Sequence, residues 1–158
     1  MSNYARHLQE KQKLRLTYGM LENQFKRAFQ RAQKTRGITG ETFLQLLERR
    51  LDNLVYRLGF APSIFAARQL VSHGHVQVNG AKLDIPSYVV RVGQTISVRE
   101  KSRKMPMLVE STERRNRRIP DYLECKPEEL IGTLLVMPRL EDIPVSVDTN
   151  LIVEFYSR

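Results

Sequence analysis

The sequence predicts an α+β fold, helical up to Ser72 and sheet-forming after it. Three observations carry this. Apolar residues recur at spacings of three and four as far as Ser72. From His75 the period becomes two, in Val76-Gln77-Val78. Asn79-Gly80 then supplies the dipeptide of a tight hairpin, because a type I′ turn puts both central residues at positive φ.

Residues 3–16 are rich in helix formers, and Tyr18-Gly19 interrupts them. A second helix is expected from Met20 to Lys34. It gathers Leu21, Phe25, Ala28, Phe29 and Ala32 on one side and Arg27, Arg31 and Lys34 on nearly the opposite side. Thr35 to Gly40 is rich in breakers and reads as a loop. Leu44, Leu47, Leu51, Leu54, Val55 and Leu58 predict one long helix over 41–58, ended by Gly59. Ser63 is placed to cap a helix from Ile64 to Ser72. Ser72-His73-Gly74 closes that helix, so His73 and His75 flank a helix-to-strand junction.

After the hairpin, "SYVVRVGQTISVRE" is β-rich, with Gly93-Gln94 as a turn. "REKSRKM" is basic, and "MLVESTERRNRR" is polar and helix-prone. Leu130 to Pro138 reads as a strand that stops at proline, and 139–150 as a loop. The terminal "LIVEFYSR" is ambiguous: its β-branched residues favour strand, but so short a segment is also compatible with helix.

The 158 residues carry 26 Lys+Arg against 17 Asp+Glu, a net charge of +9 that points to a polyanionic partner. The charge is polarised: +7 over 1–50, +2 over 51–100, +5 over 101–118 and −5 over 119–158. Cys125 is the one cysteine, so no internal disulfide forms, which points to a reducing compartment. There is no signal-peptide pattern and no apolar run approaching about 20 residues, so a soluble cytoplasmic protein is expected.

Catalytic chemistry is not legible. His7, His73, His75 and Cys125 lack zinc-ligand spacing. There is no GxSxG, P-loop or GxGxxG, and no paired carboxylates for acid/base work. No metal or cofactor is expected in this chain.

Residues 50–98 carry a resemblance. Arg50-Leu51-Asp52, Arg57-Leu58-Gly59, Ala67-Arg68-Gln69-Leu70, His73-Gly74-His75-Val76, Val78-Asn79-Gly80 and Gly93 together resemble the S-four RNA-binding domain. That domain also occurs in pseudouridine synthases, tyrosyl-tRNA synthetases and small heat-shock RNA-binding proteins. The flanks, "LQEKQKLRLTYGMLENQFKRAFQRA" and "IPVSVDTNLIVEFYSR", resemble the family of bacterial small ribosomal subunit protein four, over essentially the whole chain. Bacterial members begin with about 40 further residues, often including a cysteine-rich zinc-binding sequence. The chain is therefore expected to be a truncated form, with any family zinc site in the missing segment.

The resemblance implies two lobes. A discontinuous all-helical domain would comprise residues 1–47 and 139–158, with the C-terminal segment helical. Residues 48–138 would form an inserted S-four domain, its helices packed on an extended antiparallel β-sheet. The implied function is structural: a primary binder of 16S ribosomal RNA at a multi-helix junction of the 5′ domain. It would nucleate assembly of the subunit body and influence translational accuracy. Implied partners are neighbouring small-subunit proteins and, for some members, the protein's own mRNA. The free protein would be a monomer without catalysis.

Within the S-four region the candidate RNA contacts are Arg50, Arg57, Arg68, Gln69, His73, His75 and Lys82, with Arg50, Arg68 and His75 foremost. Asp52 is expected to orient an arginine, and Asn79 to serve the turn. Lys11, Lys13, Arg15, Lys26, Arg27, Arg31, Lys34 and Arg36 form a second candidate surface, and Lys101, Arg103 and Lys104 a third. Glu128, Glu129, Glu141, Asp142 and Asp148 would face protein or solvent. Two other readings stand beside this one. An RNA-modifying enzyme would need a catalytic domain, for which no segment is long enough. A protein-interaction module would use its charge only for solubility.

Overall fold

The computed structural model describes residues 2–114 and 117–157. The chain divides into two compact units, Met1–Leu47 with Arg139–Arg158, and Glu48–Pro138.

The first unit is helical. α1 (Asn3–Thr17) starts where the Ser2 hydroxyl accepts from the Ala5 amide at 3.1 Å. It buries His7, Lys11 and Leu14. α2 (Glu22–Lys34) buries Phe25, Phe29 and Ala32 and leaves its basic side outward, as its spacing predicts. α3 (Thr39–Glu48) adds Phe43, whose ring meets Phe25 and Phe29 edge-on at 5.0 and 5.2 Å. The C-terminal segment is not a strand. Thr149–Tyr156 is a helix, here named α7, and the Asp148 carboxylate caps it by accepting from the Asn150 amide at 3.0 Å. Its β-branched residues are overridden by packing: Ile152 is fully buried, and Tyr156 stacks on Phe29 at 4.5 Å.

The second unit opens with a correction. The predicted helix over 41–58 breaks between Glu48 and Leu51. α3 ends, Arg50 is extended and pairs with Val89, and α4 spans Leu51–Arg57. The break is satisfied from elsewhere in the chain. The Leu51 and Asp52 amides donate to the carbonyls of Tyr88 and Pro86, and the Val90 amide donates to Arg49. The Asn53 side chain donates to the Glu48 carbonyl at 2.7 Å, closing the end of α3. Apolar spacing runs smoothly through both helices, so it carries no sign of the gap.

α5 (Ile64–Ser72) matches its expected limits, with the Ser63 hydroxyl accepting from Ala66. Then come β1 (Val76–Val78), β2 (Ala81–Lys82), β3 (Thr95–Val98), α6 (Pro106–Glu113), β4 (Leu123–Lys126) and β5 (Ile131–Leu134). The strands form one antiparallel sheet in the order β2-β1-β3-β5-β4. Asn79 and Gly80 turn the hairpin with φ of 50° and 81°. The Asn79 side chain also accepts from the Thr95 amide at 2.8 Å, tying the turn to β3.

Three further expectations are adjusted. β4 was not legible, because it is mostly polar and exists by pairing with β5. "SYVVRV" is mostly irregular, with only Val89 in a bridge. The helix in "MLVESTERRNRR" stops at Glu113, and Arg115 and Asn116 of that stretch lie outside the described residues.

Leu54, Leu58 and Leu70 of the helical segments and Val76, Val78, Ile96, Val98 and Leu134 of the sheet are all buried. Leu58, just after α4, lies against Gly132 on β5. A methyl group there would lie 2.4 Å from Leu58 Cδ2 and 3.0 Å from its Cγ. Gly132→Ala is therefore expected to overpack this seam and cost about 1–3 kcal/mol, read as a lower thermal midpoint with an unchanged fold by circular dichroism.

Candidate RNA-binding surface

The site is built on two buried carboxylates. Asp52, in the first turn of α4, has no solvent exposure. Its Oδ1 accepts from Arg50 Nε at 3.1 Å and from the Asn53 amide at 2.7 Å. Its Oδ2 accepts from an Arg50 terminal nitrogen at 2.9 Å and from Arg68 Nε at 3.0 Å. One side chain thus ties the entry of α4 to α5. Glu48, also fully buried, accepts from Arg57 Nε at 2.8 Å and from Tyr122 Oη at 2.5 Å.

Two of the expected contact residues, Arg50 and Arg57, are placed facing inward. The side chains of Arg50 and Arg57 are about nine-tenths buried. They neutralise internal carboxylates, which cannot be left charged and unpaired away from water. Arg68 differs, being 28% exposed while held by Asp52. Asp52 orients arginines, as expected.

An outward cationic edge forms where α5 runs into β1. Gln69, His73 and Lys82 are exposed, and His75 is half-buried. The Lys82 side chain lies across Gly74, where an added Cβ would meet its Cε at 2.7 Å. Lys82 is thereby brought beside the loop that carries both histidines. His75 Nδ1 is 2.7 Å from Ser102 Oγ, to which Arg99 Nε also donates at 2.8 Å. Burial, then the charge of Arg99, then His73, hold the His75 imidazole below its ordinary pKa of 6.5. At neutral pH it is an uncharged ring.

Lys101 and Lys104 are exposed nearby in sequence, while Arg103 donates to the Val98 carbonyl at 3.2 Å. Sequence reasoning missed Arg99. Its signal was its position directly after β3, where its amide bonds to the His75 carbonyl.

In the first unit, Lys26, Arg27, Arg31, Lys34 and Arg36 are exposed. Lys13 is half-exposed beside Glu10 at 3.6 Å. Lys11 and Arg15 face inward instead. Lys11 is buried, pairs with Glu22 and lies 5.4 Å from the Phe155 ring centroid. Arg15 bonds Glu22, Gln12 and the Met20 carbonyl. The Lys11 hydrogen bond holds the Glu22 carboxyl below the usual carboxylate range, against a smaller upward push from burial. The Tyr156 hydroxyl, buried without a partner, is pushed up to about 12 by burial and by Glu22.

Among the described residues, no group of three or more His, Cys, Asp or Glu is placed to hold a metal ion. None of their helices is long and apolar enough to cross a membrane.

A family model described as S4 domain matches residues 49–96, and one described as Ribosomal protein S4/S9 N-terminal domain matches residues 1–48. The "Small ribosomal subunit protein uS4" of Thermoanaerobacter sp. (strain X514) is 52% identical over 158 residues, covering all of this chain and 76% of that relative. The protein of the same name from Roseiflexus castenholzii is 53% identical, covering all of this chain and 78% of its own length. That from Geobacillus kaustophilus is 52% identical with the same coverage.

Two outcomes follow from the ion pairs and the histidine. Asp52→Asn leaves Arg50 and Arg68 without their counter-charge, and a loss of about 3–5 kcal/mol is expected in denaturant unfolding. For His75 the unfolded chain takes up its proton near pH 6.5, before the folded protein does. Stability is therefore full above that pH and falls as the pH drops through it toward the lower folded value. An NMR titration should place the His75 midpoint below 6.5, and His75→Gln should flatten the acid limb of the stability curve.

Proposed function

The chain belongs to the uS4 family of small ribosomal subunit proteins, and from that premise we propose that it is a primary binder of 16S ribosomal RNA at a multi-helix junction of the 5′ domain. The family is structural, not enzymatic, and works on the cytoplasmic ribosome. An S4 domain implies ribosomal RNA and other ribosomal components as partners.

The observation that carries the proposal is the sorting of the cations. Each unit keeps some inside as counter-ions and turns a coherent set outward. In the second unit Lys82, Lys101 and Lys104 are exposed and Arg68 and Arg103 partly so, interleaved with the polar Gln69, His73 and the half-buried His75. In the first unit it is Lys13, Lys26, Arg27, Arg31, Lys34 and Arg36. Folded RNA offers phosphates, 2′-hydroxyls and shape, which long cationic side chains meet without reading sequence. Each such surface can hold an RNA backbone, and engaging more than one helix of the junction would nucleate assembly of the subunit body.

The reading extends to neighbouring small-subunit proteins as partners and to an influence on translational accuracy. It also extends to repression of the chain's own mRNA where that RNA imitates the junction. The free protein is a monomer, and its binding uses no metal or other cofactor.

The test is binding to 5′-domain 16S RNA across a salt series, with transfer RNA and duplex DNA as competitors. Preference for the ribosomal fragment that survives moderate salt is expected. Equal binding to all three, vanishing together as salt rises, would reduce the chain to a generic basic surface. Lys82→Ala should weaken binding and lower the log–log salt slope by roughly 0.7 to 0.9, the loss of about one phosphate contact.

A further inference from the structure

Helix α5 turns Ile64, Ala67, Leu70 and Val71 into the core. Phe65, Arg68, Gln69 and Ser72 stand at i, i+3, i+4 and i+7, and so share one outward stripe. Phe65 is 64% exposed, a whole phenyl ring in water on a face that is otherwise polar or cationic. The Arg68 guanidinium lies over it, with Cζ 5.6 Å from the ring centroid. Arg68 is itself bonded to the buried Asp52 at 3.0 Å. The ring therefore sits against a cation that the protein interior holds in place.

The geometry points to a stacking platform for one unpaired base of the ribosomal RNA, formed by Phe65 with Arg68 and edged by the Gln69 amide. The inference rests on the RNA-binding reading above and adds to it the class of RNA feature that is recognised. A docking protein would want a contiguous apolar patch, but the neighbours of Phe65 on its stripe are a guanidinium, an amide and a hydroxyl. A nucleobase matches that set. Its face stacks on an aromatic ring or a guanidinium plane, and its edge exchanges hydrogen bonds with an amide. Bases inside a duplex already stack on each other, so the ligand is a base splayed from a loop, bulge or junction. Because Asp52 fixes Arg68 beforehand, little ordering remains for the binding step.

The test uses the whole chain with 5′-domain 16S RNA. Phe65→Leu keeps apolar bulk and removes the π-face; it should weaken binding about five- to hundredfold with an unchanged salt slope, since stacking releases no counterions. Phe65→Tyr should bind as the parent does. Phe65→Trp should also retain affinity, and it introduces the only tryptophan of a chain that has none. Its emission should be quenched on adding the RNA and should become shielded from acrylamide. Melting curves should match across the set, because the position is exposed. If Phe65→Leu binds like the parent, or the tryptophan stays open to acrylamide in the complex, the platform is wrong while the ribosomal RNA reading stands. If the parent shows no preference for the ribosomal fragment, that reading fails and the platform falls with it.

Discussion

A carboxylate with no access to water has to be met by positive charge and hydrogen bonds, and Asp52 sets that requirement at the start of α4. Arg50 meets it from the extended residue just before the helix, Arg68 from α5, and the Asn53 amide from the helix itself. The entry of α4, its tie to α5 and the aim of Arg68 share one buried oxygen pair. Glu48 repeats the arrangement with Arg57 and Tyr122, linking the end of α3 to the residue just before β4. Polar groups buried this way are costly to leave unmatched, so they specify one arrangement more sharply than apolar packing does.

The same requirement divides the arginines and lysines by role. Arg50, Arg57, Lys11 and Arg15 lean on carboxylates and stabilise the units, whereas Lys26, Arg27, Arg31, Lys34 and Lys82 stand outside. Arg68 belongs to both groups, and this is why it can present a fixed cation beside an exposed ring. Net charge explains attraction to a polyanion at a distance. The cations that no internal carboxylate holds are left free to add to that attraction at the surface.

His75 adds a different kind of group to that surface. Held neutral by burial and by Arg99, its ring offers a hydrogen bond without charge. Its Nδ1 is engaged by Ser102, and Ser102 is also held by Arg99. The loop between α5 and β1 is thus braced from the far end of β3.

Local chemistry by itself determined α1, α2, α5 and the β1–β2 hairpin. The serine caps of α1 and α5, the apolar stripe of α2 and the Asn-Gly turn are set within a few residues of sequence. The motifs around Arg50-Leu51-Asp52 and His73-Gly74-His75 likewise marked the RNA-binding region. Only the tertiary structure decided the break at Arg49-Arg50, which depends on carbonyls from 86–90, and the pairing of β4, which depends on β5. It also made the last segment a helix, because burying Ile152 and stacking Tyr156 on Phe29 outweigh β-propensity. The same distance problem hid the inward turn of Arg50, Arg57 and Lys11. A side chain's partner is chosen by proximity in space, and arginine reads the same in sequence whether it meets a carboxylate two residues away, one nine residues away, or water at the surface.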